Sequence, residues 1–459
     1  MPPEPTPQPT PEGGHAGPSQ GGPTRRTVLT ALSLPVLTPV LATASCGRSR
    51  LGTVRVAVQW SGWELAAFQQ VLAQFTNVSN YDVQVLSIGS NIDALLGAQV
   101  ARASVPDVAM LSQPGQVQGH RHRLEPIDPT WAASFPRAWR DLVTIDGAEL
   151  GIWFKTAHKS MVWYRPEMFE RVGIRPPTDY QDWLTANRAL LDGGLPPLAV
   201  GAADGWVLSD WFSNVLLGLD PPTYRRLGRN GPDAVDGWRS DPVAEALTLL
   251  GQMWVRPGTF PGGVRRALLT QFDESVVDVF TRGQAATVAE GDFVYPVIAR
   301  YAGSGVSTSW FPFPPPQGRR RPVLVGGDVA VLLRPARPGG RELVSYLASA
   351  EAANIWVRQG GFVSVRGDGV PAQEYPPVYN EPVPTGRPVP DDVREGTNGV
   401  IDFSLSDQIT GPLGGGDGRG LWRILQDFLT QVGAGGSGGI DGAVRRTVDA
   451  IVAQIGQAR

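Results

Sequence analysis

The chain has a single cysteine, Cys46, and four histidines, His15, His120, His122 and His158. One thiol cannot close an intramolecular disulfide, and this set lacks the spacing of a Cys/His zinc site, so any metal would have to be held by oxygen and none is expected. Lysine is almost missing: of forty basic residues only Lys155 and Lys159 are lysine. The 40 Lys plus Arg form no long block and face 43 Asp plus Glu, for a net charge of −3, which argues against nucleic acid as a partner. Beyond the amino-terminal region no apolar run is long enough to span a bilayer. No period of about 20 to 50 residues recurs, which excludes a repeat array. What remains is an ordinary globular composition, 42% hydrophobic and 18% charged over 459 residues, room for two or three domains.

Residues 1–24 carry proline at positions 2, 3, 5, 7, 9, 11, 18 and 23 among Gly, Ser and Gln, a composition that buries too little apolar surface to fold. Arg25-Arg26 then opens an uncharged run over 27–45 that closes on Ala42-Thr43-Ala44-Ser45-Cys46. A charged front, an apolar middle and a small-residue exit predict an export signal. The arginine pair resembles a twin-arginine signal, with Val28 where that pattern usually has Phe. Thr43-Ala44-Ser45-Cys46 resembles a lipobox, which makes Cys46 the expected lipidation site. The run is also of anchor length, but Pro35, Pro39 and four threonines favour a cleaved segment. The mature protein is thus expected outside the cytoplasm, tied to the membrane by lipid.

After a short spacer the apolar pattern alternates between the periods of strand and helix. Strands are expected at 54–58, 81–88 and 105–111 and helices at 65–75 and 92–103, the α/β signature of a parallel sheet. Ligands of such sheets lie beyond the carboxyl ends of the strands, here the loops at 60–63, 89–91 and 112–113. A second α/β unit starts with the apolar stretch 150–164 and a helix at 166–172. Helices are expected at 178–191, 210–217, 242–255, 270–281, 341–358, 420–432 and 440–455, with strands at 198–200, 285–289 and 329–333. The run Gly433-Ala434-Gly435-Gly436-Ser437-Gly438 spells GxGxxG, and residues 435–439 spell GxSxG, but both patterns need a preceding strand and a helix precedes these, so they read as linker. Lys155-Thr156 and Lys159-Ser160 lack the upstream glycine of a P-loop, and the glycines around Asp417 offer calcium too few acids.

Seven segments in order resemble the family 1 extracellular solute-binding proteins, the carbohydrate-binding components of ABC importers. They are Pro106-Asp107-Val108-Ala109-Met110-Leu111, residues 159–169 (KSMVWYRPEMF), Pro176-Pro177-Thr178 leading to Trp183, residues 201–211, residues 283–291 (GQAATVAEG), Gly326-Gly327-Asp328-Val329-Ala330-Val331 and Gly360-Gly361-Phe362-Val363-Ser364. The resemblance covers nearly all of residues 53–432. It implies a two-lobed periplasmic-binding-protein-like fold of type II, hinged, with discontinuous lobes: 53–157 and 291–327 for the amino-terminal lobe, 158–290 and 328–459 for the other. The hinge would lie near 153–158, 290–293 and 326–328. It also implies a carbohydrate ligand, probed by closing lobes, permease subunits as partners, a monomer, no cofactor and no catalysis.

Sugars present apolar ring faces to aromatics and hydroxyl edges to polar side chains. Trp131, Trp139, Trp183, Trp238, Trp254, Trp356 and Trp422 lie in helical or connecting patterns and read as packing residues. Trp60 and Trp63 flank Ser61-Gly62 where the first strand ends, and Gln113 ends a strand, so these face the expected cleft. Asp204, Trp206 and Asp210 stand between a short strand and a helix, where Asp210 is equally placed to cap that helix. Glu290-Gly291-Asp292 and Gly326-Gly327-Asp328 mark predicted crossovers, as ligand contacts or as hinge geometry. Lys155 is a candidate donor because it is one of two lysines in an arginine-rich chain. Trp310, Phe362 and Ser364 follow from family position. Acids and tryptophans also describe a glycoside hydrolase cleft, and a surface sensor would use the same fold, so both remain alternatives.

Overall fold

The computed structural model describes residues 50–89, 92–97, 105–230, 235–380, 388–397, 400–409, 411–414, 420–435 and 439–456. The proline-rich leader, the arginine pair, Cys46 and residues 436–438 of the glycine run at 433–438 lie outside them. So do residues 98–103 of the helix expected at 92–103, which is described as Ile92–Gly97.

The strands are β1 (Gly52–Val58), β2 (Tyr81–Ser87), β3 (Val108–Leu111), β4 (Leu124–Glu125), β5 (Thr144–Ile145), β6 (Ala148–Glu149), β7 (Gly151–His158), β8 (Met161–Tyr164), β9 (Leu198–Ala199), β10 (Thr287–Glu290), β11 (Ser309–Pro312), β12 (Leu324–Leu333) and β13 (Asp402–Phe403). Alternating valines in β1 bury one face, and β1 pairs in parallel with β2 and β3, as the sequence predicts. The larger sheet runs β13-β12-β3-β1-β2, with β4 and β7 also paired to β12. The smaller sheet runs β11-β8-β10-β9, and β5 and β6 form a hairpin of their own.

Strand periodicity gives the smaller sheet two buried faces. Met161, Trp163, Val288 and Trp310 join the core that continues from the larger sheet, while Val162, Tyr164, Ala289 and Phe311 face a second core. That second core is built on the helix Trp206–Leu219, buried over every residue from Val207 on, as expected of a helix apolar all round. The helices Tyr180–Asp192, Asp241–Trp254, Leu421–Gly435 and Ile440–Gly456 pack around it.

Several expectations change. Residues 291–327 were assigned to the first lobe, but β11 pairs with β8 in the smaller sheet. Residues 328–459 were assigned to the second, but β12 pairs with β3, and the helices Pro338–Leu347 and Ala350–Val357 pack on β1, β12 and the helix Gly62–Val78. The single helix expected at 341–358 is these two, because Ser349 caps a new start by accepting the Ala352 N–H at 3.1 Å. The strand expected at 329–333 begins at Leu324, running through the glycine pair that looked like a break. Gly327 has φ 153° and a Cβ there would lie 2.0 Å from the Lys155 carbonyl oxygen, so glycine lets β12 and β7 approach at a register shift. The helix expected at 210–217 starts at Trp206, which places Asp210 a full turn inside it and removes its capping role.

Candidate functional site

A cavity of about 660 Å³ opens where the two sheets meet. Its walls come from the carboxyl end of β1 and the following helix, the end of β3, the stretch Lys155 to Lys159, the turn before the helix Trp206–Leu219, residues 271–273, Phe293, the Gly327-Asp328 bulge, and Asp407 with Trp422. The strand-end rule thus holds for β1 and β3.

Seven of the residues singled out from sequence line it: Trp60, Trp63, Gln113, Lys155, Asp204, Trp206 and Asp328. Lys155 is held by two carboxylates and two rings at once. Its Nζ donates to Glu64 Oε1, lies 3.7 Å from Asp328 Oδ2, and stands 5.9 and 5.8 Å from the Trp60 and Phe293 ring centroids. Burial opposes this ammonium, yet Glu64 and Asp328 outweigh it and its pKa rises. Burial pushes the Asp328 carboxyl up to about 6 against the pull of Lys155. Gln113 accepts from Gln116 Nε2 at 2.9 Å, and its own Nε2 has no acceptor among the described residues.

The other six predicted residues sit behind the wall or away from it. Asp210 is 4% exposed, 3.3 Å from Lys159 Nζ, and accepts the Ser404 hydroxyl at 2.7 Å. Glu290 ends β10 with both carboxyl oxygens buried and no hydrogen-bond partner among the described residues, and burial, then Asp210, pushes its pKa well up. Asp292 accepts the His158 backbone N–H at 3.0 Å, and burial pushes it up to about 7. Trp310 pairs within the smaller sheet and donates from Nε1 to the Val378 carbonyl at 3.1 Å. Phe362 packs on Phe154 and Trp356 in the core, and Ser364 is buried beside it.

Sequence reasoning missed Glu64, Lys159, Phe272, Asp273, Phe293, Asp407 and Trp422, which also line the cavity. Trp422, expected to pack, reaches it because Gly205, at φ 73°, leaves room for the Trp422 Cβ, which would lie 2.8 Å from a Cβ at that position. Lys159 lies 4.0 Å from Asp407 Oδ1, and burial pushes Asp407 up to about 7 against that lysine. Burial, then Glu64 and Asp204, pushes Asp273 up to about 6. Glu64 directly follows the predicted Trp60 to Trp63 turn and Phe293 follows Asp292, so those two were within reach of the same reasoning. Asp407 and Trp422 carry no local signal.

The lining therefore combines five carboxylates, two lysines, several amides and six aromatic rings, with no arginine among the described residues. Such a surface stacks ring faces and accepts or donates hydrogen bonds along an edge, and it offers no guanidinium clamp to a phosphate.

Residues 61–354 match the bacterial extracellular solute-binding proteins. The chain is similar to the osmoprotective compounds-binding protein of Synechocystis sp., at 26% identity over 429 residues that cover 90% of this chain and 94% of that one. It is similar to the alpha-glucosides-binding periplasmic protein of Rhizobium meliloti, at 24% identity with 87% of each chain covered. Its fold matches maltose-bound MalE3 of T. maritima at TM-score 0.63 and 15% identity, covering 89% of this chain and all of that one. A chitin oligosaccharide binding protein matches at TM-score 0.66 with the same identity and coverage.

Proposed function

The chain belongs to the bacterial extracellular solute-binding proteins, and on that premise we propose that it captures a carbohydrate between two closing lobes and hands it unaltered to an ABC importer. The observation that carries this reading is the cavity at the junction of the sheets, where aromatic faces alternate with amides and carboxylates. Two similar proteins named for osmoprotective compounds and alpha-glucosides support it. One lobe carries the larger sheet and the other the smaller. The chain crosses between them at 158–160, ahead of β12, and after β13, so those segments act as the hinge. Lys155 and Asp328 on one side and Asp204 and Trp206 on the other then meet the same solute, with Trp63 stacking on it and Trp60, 5% exposed, backing Lys155. In this reading the binding unit is a single chain, which supplies the described lining.

Export through the arginine-pair signal and lipidation of Cys46 complete the reading, with the protein tethered on the outer face of the membrane. No helix among the described residues is long and apolar enough to cross a membrane. Mass spectrometry of the membrane-bound form tests this: a diacylglyceryl group on Cys46 is expected, and Cys46→Ala releases the protein.

Capture is tested by thermal unfolding against neutral oligosaccharides, polyol phosphates and amino acids, with the solute recovered afterwards. A solute at a hundred times its dissociation constant adds about 2.7 kcal/mol to the folded state. A neutral glycoside is expected to raise the melting temperature and to be recovered intact. A phosphorylated solute is expected to give no shift, because the cavity's formal charge is negative. Recovery of cleaved sugar would replace capture with hydrolysis.

A further inference from the structure

Carboxylates around the cavity come in pairs, and two of the three pairs hold an ammonium. Glu64 and Asp328 hold Lys155, and Asp210 and Asp407 hold Lys159. The third pair is Asp204 and Asp273, brought together because Asp204 Oδ2 accepts the backbone N–H of Phe272 at 3.1 Å. Among the described residues that is the one hydrogen bond of the Asp204 carboxylate, Asp273 has no hydrogen-bond or ion-pair partner, and neither has a cation. The rings beside this pair form a triangle, with Trp206 5.7 Å from Phe272 and from Phe293, and those two 5.2 Å apart. Phe293 already carries Lys155 over its ring at 5.8 Å, so this wall accommodates an ammonium next to an aromatic face. Independently, Gln113 lines the same cavity while 5% exposed, and its Nε2 lacks an acceptor among the described residues, which marks the cavity as shaped for a polar solute.

Resting on the carbohydrate reading, we propose that the solute itself brings the third ammonium: the cavity takes an amino sugar or aminocyclitol glycoside whose protonated amine sits between Asp204 and Asp273 against Trp206 and Phe272. A neutral sugar hydroxyl donates one hydrogen bond there and leaves the two like charges facing each other. An ammonium donates three and offsets the charges of Glu64 and then Asp204 that, after burial, raise the Asp273 pKa. Both carboxylates remain acceptors, so the geometry needed for a sugar ring is unchanged.

The test uses matched probes at neutral pH: trehalose, 6-amino-6-deoxytrehalose and its N-acetyl form, and in parallel glucose, glucosamine and N-acetylglucosamine, titrated by calorimetry into the whole mature protein. At least one amine is expected to bind about tenfold tighter than both its neutral and its N-acetyl partner, and the advantage is expected to shrink at high salt. Asp273→Asn should collapse the ratio of amine to neutral affinity, and Asp273→Glu should restore it. If neutral probes bind as tightly as their amines and the ratio ignores both variants, this inference is overturned while carbohydrate capture stands. If neither class binds, both fall together.

Discussion

Two short segments of this chain that sequence marks as crossovers are spelled almost alike, Glu290-Gly291-Asp292 at the end of β10 and Gly326-Gly327-Asp328 at the bulge inside β12. Their aspartates are nearly equally buried, at 0% and 5% exposure. Yet Asp328 faces Lys155 across the β12 to β7 register and lines the cavity, whereas Asp292 turns away and ties its Oδ1 to the His158 N–H. Each has a raised pKa, about 7 for Asp292 and about 6 for Asp328, and in both burial is the larger cause. Lys155 pulls both values down, and what separates the two acids is contact: Lys155 is an ion-pair partner of Asp328, and Asp292 Oδ2 has no hydrogen-bond partner among the described residues. The same glycine-acid spelling therefore occurs at a strand end and at a bulge within a strand, and strand register decides whether the acid lines the cavity or lies behind it.

The largest break in this comparison comes from the glycines. Gly327→Ala would drive a Cβ to 2.0 Å from a backbone oxygen at φ 153°, so a loss of about 4 kcal/mol is expected in urea unfolding. Gly291→Ala meets the Phe293 ring at 2.3 Å and the His158 oxygen at 2.8 Å. A ring yields more readily than two paired strands, so about half that cost is expected. Equal costs would show that both crossovers are equally rigid. Next comes Lys155→Met, which strands Glu64 and Asp328 in a buried wall; about 3 kcal/mol is expected from chemical denaturation, with solute binding lost as well. A variant that kept both stability and binding would remove Lys155 from the account.

Replacing the two acids sharpens the comparison directly. For whichever glycoside raises the melting temperature, Asp328→Asn is expected to weaken affinity about tenfold, near 1.4 kcal/mol, and Asp292→Asn by less than about threefold. Calorimetric titration of both variants settles the order, and a reversed order would place the binding face at the wrong crossover.

The parts of this architecture that local pattern controls were legible before the structure. Alternating valines announce β1 and β2, a short apolar run announces β3, and the turn between Trp60 and Trp63 lies at a strand end where ligands of such sheets bind. Parts that depend on close approach were not. The glycine pair at 326–327 looked like a terminator, because sequence cannot show the Lys155 carbonyl that requires it. Asp210 looked like a cap, because the apolar pattern of its helix did not reveal the earlier start at Trp206. Trp422 looked like packing, because its helix is amphipathic and the clearance at Gly205 lies more than two hundred residues upstream. Asp407 reaches Lys159 from a four-residue helix, Leu405–Gln408, that has no periodicity to read.

The smallest expected effect is a change in pH dependence. Asp292, Asp407, Asp328 and Asp273 have folded-state pKa values above the ordinary 3.8, at about 7, 7, 6 and 6. Between pH 4 and those values the folded chain holds protons that the unfolded chain has released, so their contribution to stability is fullest at low pH and declines as pH rises. The ligand-free protein is accordingly expected to melt higher at pH 5.5 than at pH 8. Asp292 alone contributes a decline of about 1 kcal/mol between pH 6 and pH 8, the window around its own value. Asp292→Asn keeps an oxygen for the His158 N–H and removes the titration, so its melting curve should flatten over that window. Asp328→Asn should flatten it at lower pH, between about 5 and 7, because the Asp328 carboxyl, in ion-pair contact with Lys155, is raised only to about 6. Identical windows for the two variants would mean that the counter-charge does not distinguish the crossovers, and burial alone would then account for both acids.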